Sequence, residues 1–215
     1  MEELAAQDKE SIFGLAEELY SKKKYSDARK YFSFVYDTFP NDPLGHKAAL
    51  RVADTYSVKS DPTNRTEARL RYRDFANRYP NDPDRDYALL MVGHTFSEKK
   101  LRPDRDLSDL HEAHNAYQQL VTLYPNSPHA AEGQERIGQL RETLAEHEYL
   151  IAQFYFRNKR WYGTLWRLEY LKENYPEYSK MKAVDSMLEG TQNKINQIQE
   201  TYDQLLEERR KSKKD

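Results

Sequence analysis

Cysteine is absent from this 215-residue chain, which excludes disulfides, thiolate metal sites and cysteine nucleophiles while leaving the redox compartment open. Glycine is sparse, and the 7 present form neither a phosphate-cradling loop nor a dinucleotide fingerprint. No run approaches the ~20 apolar residues of a membrane span. The opening Met1-Glu2-Glu3-Leu4 also lacks the charged-then-apolar pattern of a signal peptide, so the chain as given reads as soluble. Charge of one sign is missing too: 34 Lys and Arg against 36 Asp and Glu leave a net −2, with no basic field for nucleic acid. Only 38% of residues are hydrophobic while 33% are charged, a balance that would suit disorder were it not for 17 tyrosines. Amphipathic aromatics can pack an architecture two helices thick while many charges stay wet.

What is present is a recurrence. The pattern Ala-x3-aromatic-x6-aromatic-Pro occurs as Ala28, Phe32, Phe39, Pro40, again as Ala68, Tyr72, Tyr79, Pro80, and again as Ala113, Tyr117, Tyr124, Pro125. This is the spacing of the second helix of a tetratricopeptide repeat, in which a small residue lets two helices approach and an aromatic one turn later fills the gap. A degraded fourth copy runs Thr164, Leu168, Tyr175, Pro176. Each Pro biases the aromatic before it out of the helical region, and Asn41, Asn81 and Asn126 suit the turn. Asp42, Asp82 and Ser127 are then expected to cap the next helices, with Pro43, Pro83 and Pro128 in the first helical position.

Ahead of Ala28, the residues Ile12, Leu15, Ala16 and Leu19 supply the apolar face of a first helix, with Tyr25 just before the second. The intervals between Pro40, Pro80, Pro125 and Pro176 grow from 40 to 45 to 51 residues. The insertions fall around 58–63 and 99–109, both read as polar surface loops between paired helices. No breaker interrupts 128–157, so one long helix is expected there, followed by a turn at Asn158-Lys159-Arg160 and a helix over 162–174. The expected fold is all-α, a right-handed superhelical tetratricopeptide solenoid of about nine helices forming a single domain over 8–207, with a long C-terminal helix.

In that last helix Val184, Leu188, Thr191, Ile195, Ile198, Tyr202 and Leu205 form a heptad seam, flanked by polar residues such as Asn193, Asn196 and Gln197. Two readings stand. The helix caps the last repeat, or its part from Ile195 onward grips a partner helix. The basic tail at 208–215 either complements the helix dipole or is drawn to anionic lipid.

Reactive constellations are lacking. His147-Glu148 has Ile151 where a zinc protease needs its second histidine, no Gly-x-Ser-x-Gly elbow exists, and His111 with His114 has no third ligand in view. The reading is therefore non-enzymatic, without cofactor or metal. Binding suits stacked repeats better, because first helices line a concave surface. Phe13, Glu17 and Tyr20 are expected on that surface opposite the apolar face, with Tyr56 extending it as a groove for an extended peptide. The alternative is that Phe13 and Tyr20 pack against a neighbouring helix.

From Asp86-Tyr87-Ala88 onward the residue order resembles the BamD family, outer-membrane lipoproteins of the β-barrel assembly machinery. Arg102-Pro103-Asp104-Arg105-Asp106, the segment 113–128 and above all Arg141-Glu142-Thr143-Leu144-Ala145-Glu146-His147-Glu148 carry the likeness, which spans about 12–176. It implies five repeats on the periplasmic face of the outer membrane, an amino-terminal lipid anchor, binding to the periplasmic domains of the barrel-forming subunit, and handling of unfolded outer-membrane proteins, with other assembly lipoproteins as further partners. The amino half, 8–100, would meet substrates and the carboxyl half, 106–207, the barrel subunit. Arg167 would hold a partner carboxylate, or an internal glutamate; Arg105 and Asp106 would contact a partner or organise their loop. The anchoring cysteine is missing, so the chain is expected to be a mature portion without its anchor. A single continuous C-terminal helix departs from the two usual in the family. A free-standing periplasmic or cytosolic adaptor for peptide segments is the alternative function.

Overall fold

The computed structural model describes residues 8–59, 61–97 and 107–212. Among these the chain is all helix, without a strand: α1 (Lys9–Ser21), α2 (Tyr25–Thr38), α3 (Pro43–Ser57), α4 (Pro62–Arg78), α5 (Arg85–Ser97), α6 (Ser108–Leu123), α7 (Ala130–Arg157), α8 (Trp161–Asn174) and α9 (Met181–Lys211). Backbone contacts divide it into two units whose boundary falls inside α7, between Ile137 and Gly138. In the first unit consecutive helices pack in order from α1 through α6, and α1 also touches α3, as stacked helical hairpins do. In the second, α8 packs on α9.

The repeated signature residues are the ones that lose all contact with water. Ala28, Ala68, Ala113 and Thr164 are 0% exposed, and so are Phe32, Tyr72, Tyr117 and Leu168 one turn later. The fourth copy works without its alanine because the Thr164 hydroxyl donates to the Arg160 carbonyl at 3.0 Å, so no buried polar atom is stranded. Helix ends repeat as well. The N–H of Phe39, Tyr79, Tyr124 and Tyr175 donates to the carbonyl four residues back at 2.8–3.0 Å, and the carbonyl of each accepts from Asp42, Asp82, Ser127 or Tyr178.

Asp42 caps α3 as expected, accepting from the Leu44 N–H at 2.9 Å with Pro43 in the first turn. The other two starts differ. Asp82 and Ser127 accept from the N–H of Asp84 and His129, both at 2.9 Å, but their own carbonyls accept from Arg85 and Ala130 in a tight three-residue turn. That turn postpones the helical ladder, so Pro83 and Pro128 precede α5 and α7 instead of opening them. Asp61 with Pro62 caps α4, accepting from the Asn64 N–H at 3.0 Å, a start the repeat spacing does not reveal.

A second correspondence is local and gapless. Lys23 and Lys159 have φ of 60° and 57°, in turns where Lys24 N–H reaches the Leu19 carbonyl and Arg160 N–H the Tyr155 carbonyl, each at 2.9 Å. Tyr20 meets Tyr25 edge-on at 5.2 Å, and Phe156 meets Trp161 edge-on at 5.4 Å. The same offset carries Ala28 to Thr164, Phe32 to Leu168 and Pro40 to Pro176. The turn joining α7 to α8 is thus the turn joining α1 to α2.

One polar network runs through four helices of the first unit. Asp54 on α3, 5% exposed, accepts from the hydroxyls of Tyr72 (2.6 Å, α4) and Tyr87 (2.9 Å, α5) and from Arg51 Nη1 at 3.1 Å. Arg51 in turn holds Glu17 of α1 through two bonds of 2.6 and 2.5 Å. Burial, and then the charge of Asp54, pushes the Tyr72 phenol well above its ordinary 10.0, and the same causes raise Tyr87.

Two measurements follow from this packing. A Cβ at Gly93 would lie 2.3 Å from the Tyr117 ring, so Gly93→Ala should lower the unfolding free energy by about 1–3 kcal/mol, whereas Gly14→Ala, with nothing within 4 Å, should raise it by about 0.5–1 kcal/mol in denaturant titrations. Below pH 10 both folded and unfolded chains keep the phenol protons; above it the unfolded chain alone releases those of Tyr72 and Tyr87. The thermal midpoint should accordingly be insensitive to these groups up to pH 9 and fall above pH 10, and Tyr72→Phe should flatten that alkaline slope while costing about 1–3 kcal/mol for the donor lost to Asp54.

Candidate functional site

In α8 the stripe Thr164, Leu168 and Leu171 is 0% exposed, and this directs the residues half a turn away outward. Tyr162 is 67% and Trp166 57% exposed, with Trp166 stacked on Tyr170 at 5.6 Å and 18° between planes. The equivalent positions in the first repeat hold Ser26, Lys30 and Phe34. Two positions that are polar in the first copy, Ser26 and Lys30, are aromatic in the other, while the third is aromatic in both. Arg167 lies beside this ridge, its guanidinium 4.9 Å from the Trp166 ring. Its Nη1 donates to Glu148 Oε2 of α7 at 2.6 Å, and among the described residues its buried Nε finds no hydrogen-bond partner. The internal salt bridge that the sequence allows is therefore formed.

The family-like stretch Arg141 to Glu148 is an internal ladder. Arg141 binds the Glu177 carboxylate and the Asn174 carbonyl, the latter at 2.6 Å, and Glu142 accepts from the Ser179 N–H at 3.1 Å. Glu146 pairs with Lys180 at 2.7 Å and accepts from the Tyr178 hydroxyl. Burial, followed by the bond to Glu146, holds the Tyr178 phenol well above its usual range. These ties fix the 175–180 turn against α7 and so set the frame in which α8 is held.

The amino-terminal set divides. Phe13 is 8% exposed and meets Phe32 edge-on at 5.2 Å, in the core with Ile12, Ala16 and Val35, so it packs instead of lining a groove. On α1 it sits at the margin of the apolar face, beyond Ile12 and Ala16, and Phe32 of α2 closes over it. Glu17 and Tyr20 remain together at a partly open edge, bridged by Arg51, which binds the carboxylate and lies 4.9 Å from the Tyr20 ring. Tyr56 stands apart from them, its ring flanked by Arg29 at 3.4 Å and Arg71 at 5.4 Å.

That arginine contact recurs. Arg29 donates to the Thr55 hydroxyl at 2.8 Å and the Thr55 carbonyl at 3.0 Å; Arg69 donates to the same two atoms of Thr95 at 3.4 and 3.3 Å, with its guanidinium 3.7 Å from Phe96. Sequence reasoning passed over it, though the signal is legible: Arg follows the repeat alanine twice, and Thr-aromatic-Ser recurs at Thr55-Tyr56-Ser57 and Thr95-Phe96-Ser97. Arg51 and Asp54 were also missed, since a charged pair three residues apart on one helix carries no periodic mark.

The C-terminal seam is buried over its first half and exposed over its second. Val184 and Thr191 are 0% and Ile195 8% exposed, so this half is a covering helix packed on α8. Beyond it Ile198, Tyr202 and Leu205 are 50%, 57% and 55% exposed and, with Trp161, Lys194, Gln197 and Thr201, line an open apolar groove. Arg105 and Asp106 lie outside the described residues, as does the end of the basic tail. Among the described residues no cluster of His, Asp or Glu is arranged to hold a metal ion, and no helix is long and apolar enough to cross a membrane.

Residues 5–206 match the family model YfiO, described as outer membrane lipoprotein. Among curated proteins, the chain is similar to the outer membrane protein assembly factor BamD of Vibrio cholerae, 34% identical over 92 residues that make up 42% of this chain and 38% of the relative. The corresponding protein of Haemophilus influenzae is 32% identical over 76 residues, 35% of this chain and 29% of the relative. That of Xylella fastidiosa is 33% identical over 73 residues, 34% and 25% of the two chains. The aligned segments thus span well under half the length of these relatives, whereas the family model covers nearly all of the present chain, which therefore belongs to the YfiO family of outer membrane lipoproteins.

Proposed function

We propose that this chain is a non-enzymatic scaffold subunit of the machinery that assembles β-barrel proteins in the outer membrane, held at the periplasmic face by an amino-terminal lipid. Family membership and the names of its relatives support the assembly role. One geometric observation carries the reading to residues: the α8 ridge of Tyr162, Trp166 and Tyr170, with Arg167 beside it. A large exposed tryptophan adjoining a pre-oriented guanidinium has the composition of an interface hot spot. The periplasmic domains of the barrel-forming subunit would seat there, one of their carboxylates pairing with the part of the Arg167 guanidinium that stays exposed beside Trp166. The amino half would survey unfolded outer-membrane segments along the edge formed by Glu17, Tyr20 and Arg51, where aromatic and charged groups adjoin, and Tyr56 would add a second contact. Other assembly lipoproteins would bind elsewhere on the same scaffold.

Arg167→Glu is a poor probe, because it sets a second carboxylate against Glu148, itself 13% exposed, and would loosen α8 along with any interface. Trp166→Ala removes a largely exposed side chain, with only its surface contacts to Tyr170 and Arg167. It should weaken binding of the purified periplasmic domains of the barrel-forming subunit by about 30-fold in titration calorimetry, with the thermal midpoint nearly unchanged. Unaltered affinity would remove the α8 ridge from the interface and leave the peptide-adaptor reading in its place.

A further inference from the structure

Between Glu148 and Glu169 the chain carries no Asp or Glu, although 36 of its 215 residues are acidic. This stretch holds Arg157, Lys159 and Arg160 at the turn from α7 to α8, with Phe154, Phe156, Trp161 and Tyr162 on either side of it. All three cations are exposed, and among the described residues none of them forms an ion pair. Phe154, in the last turn of α7, is 54% exposed; Leu150, one turn earlier, is 37% exposed, so an apolar stripe runs up to the tip. The carbonyls of Phe154, Tyr155 and Phe156 accept from the N–H of Asn158, Arg160 and Lys159 at 3.1, 2.9 and 3.0 Å, and the Asn158 side-chain amide also donates to the Phe154 carbonyl, at 2.7 Å. These bonds hold the tip in one shape and keep the carbonyls of the last apolar turn of α7 satisfied when water is displaced from them.

We propose that this tip docks on a bilayer surface of anionic headgroups, with Phe154 and Tyr162 at the interface and Arg157, Lys159 and Arg160 against headgroup phosphates. Charge selects the occupant. A protein partner offers discrete charges and tolerates carboxylates between its contacts, whereas a continuous anionic surface repels every carboxylate that faces it. A run of two helix ends free of acids suits the second. Among the described residues lining the groove between Trp161 and α9 there is no carboxylate either. The α1 to α2 turn supplies an internal comparison. It has the same backbone form and three cations, Lys22, Lys23 and Lys24, but Glu18 stands where α7 has Phe154 and pairs with Lys22, and Ser26 stands where α8 has Tyr162. Cations are thus common to both turns, and exposed rings beside them belong to the second alone. Rings and long cationic side chains together are what a membrane interface accommodates, each with an apolar body and a polar end. The contact is one of the polypeptide itself, in a chain of a family of outer membrane lipoproteins, and is additional to any attached lipid.

The test uses the whole chain in unlipidated form. It should sediment with vesicles of equal parts phosphatidylcholine and phosphatidylglycerol, less so as salt is raised, and stay free with phosphatidylcholine alone. Arg157→Gln, Lys159→Gln and Arg160→Gln together should weaken association about a hundredfold, at about fivefold per cation, and Phe154→Ser about tenfold, with thermal midpoints retained. Lys22→Gln, Lys23→Gln and Lys24→Gln together, and separately Arg209→Gln, Arg210→Gln and Lys211→Gln, should each cost less than about threefold, because neither set adjoins the docked rings. The chain has 2 tryptophans, so Trp166→Phe protein reports on Trp161 alone, whose fluorescence should be quenched by brominated acyl chains in the mixed vesicles. No association with the mixed vesicles, or a loss in either control set as large as in the tip set, would overturn the proposal. So would displacement by soluble polyglutamate with Trp161 left unquenched, which would mark an acidic polypeptide as the occupant instead.

Discussion

Two helices can cross closely only where one of them has almost no side chain, and in this protein that condition is met at Ala28, Ala68 and Ala113 and relaxed to a threonine at Thr164. The ring or leucine one turn later is then driven into the space between neighbouring pairs, where it is completely dry. Everything else in the first unit is arranged around those contacts. The prolines terminate helices at a fixed distance from the knob, and the arginines after Ala28 and Ala68 clamp the next helix by threonine and ring. Asp54, buried within this unit, keeps hydrogen bonds from two tyrosines and from Arg51.

Much of this could be read from the chain because it is written periodically. The spacing of alanine, aromatic and proline was enough for the number of helices, for the length of α7 and for the α7 to α8 turn, since proline and small residues act locally and do not depend on distant partners. Readings failed where a residue's fate depended on tertiary geometry. Phe13 looks like an outward aromatic on a helical wheel, but the approach of α2 at Ala28 widens the buried face enough to enclose it. Pro83 and Pro128 look like helix openings, but an extra tight turn intervenes. Asp54 is an ordinary acidic residue until α4 and α5 bring two hydroxyls to it.

The candidate site shows the same limit. Arg167 was marked by likeness to a family, with an unspecified internal glutamate as one of its two readings, whereas Glu148 as that partner emerged only from the packing of α8 on α7, and Trp166 and Tyr162 only from matching the two copies of the hairpin position by position. Where the first copy carries Ser26 and Lys30, solvent is the partner; where the other carries Tyr162 and Trp166, it is not a good one. The family-like residues Arg141, Glu142 and Glu146 turn out to be internal braces that hold the turn after α8. Likeness in sequence there reports a frame that holds α8 and the exposed side chains on it.

The departure of α9 from its support after Ile195 has a dynamic consequence. Opening free energies within a protein range from near zero at frayed ends to the global value in the core, and this arm belongs at the low end, with only its own backbone ladder to keep it wound. Its amides would exchange with solvent deuterium orders of magnitude faster than those around Thr191, and any protease that needs an unwound substrate would trim it first. Winding along one helix is thus graded, so that the degree of protection falls, residue by residue, from its packed half to its bare one.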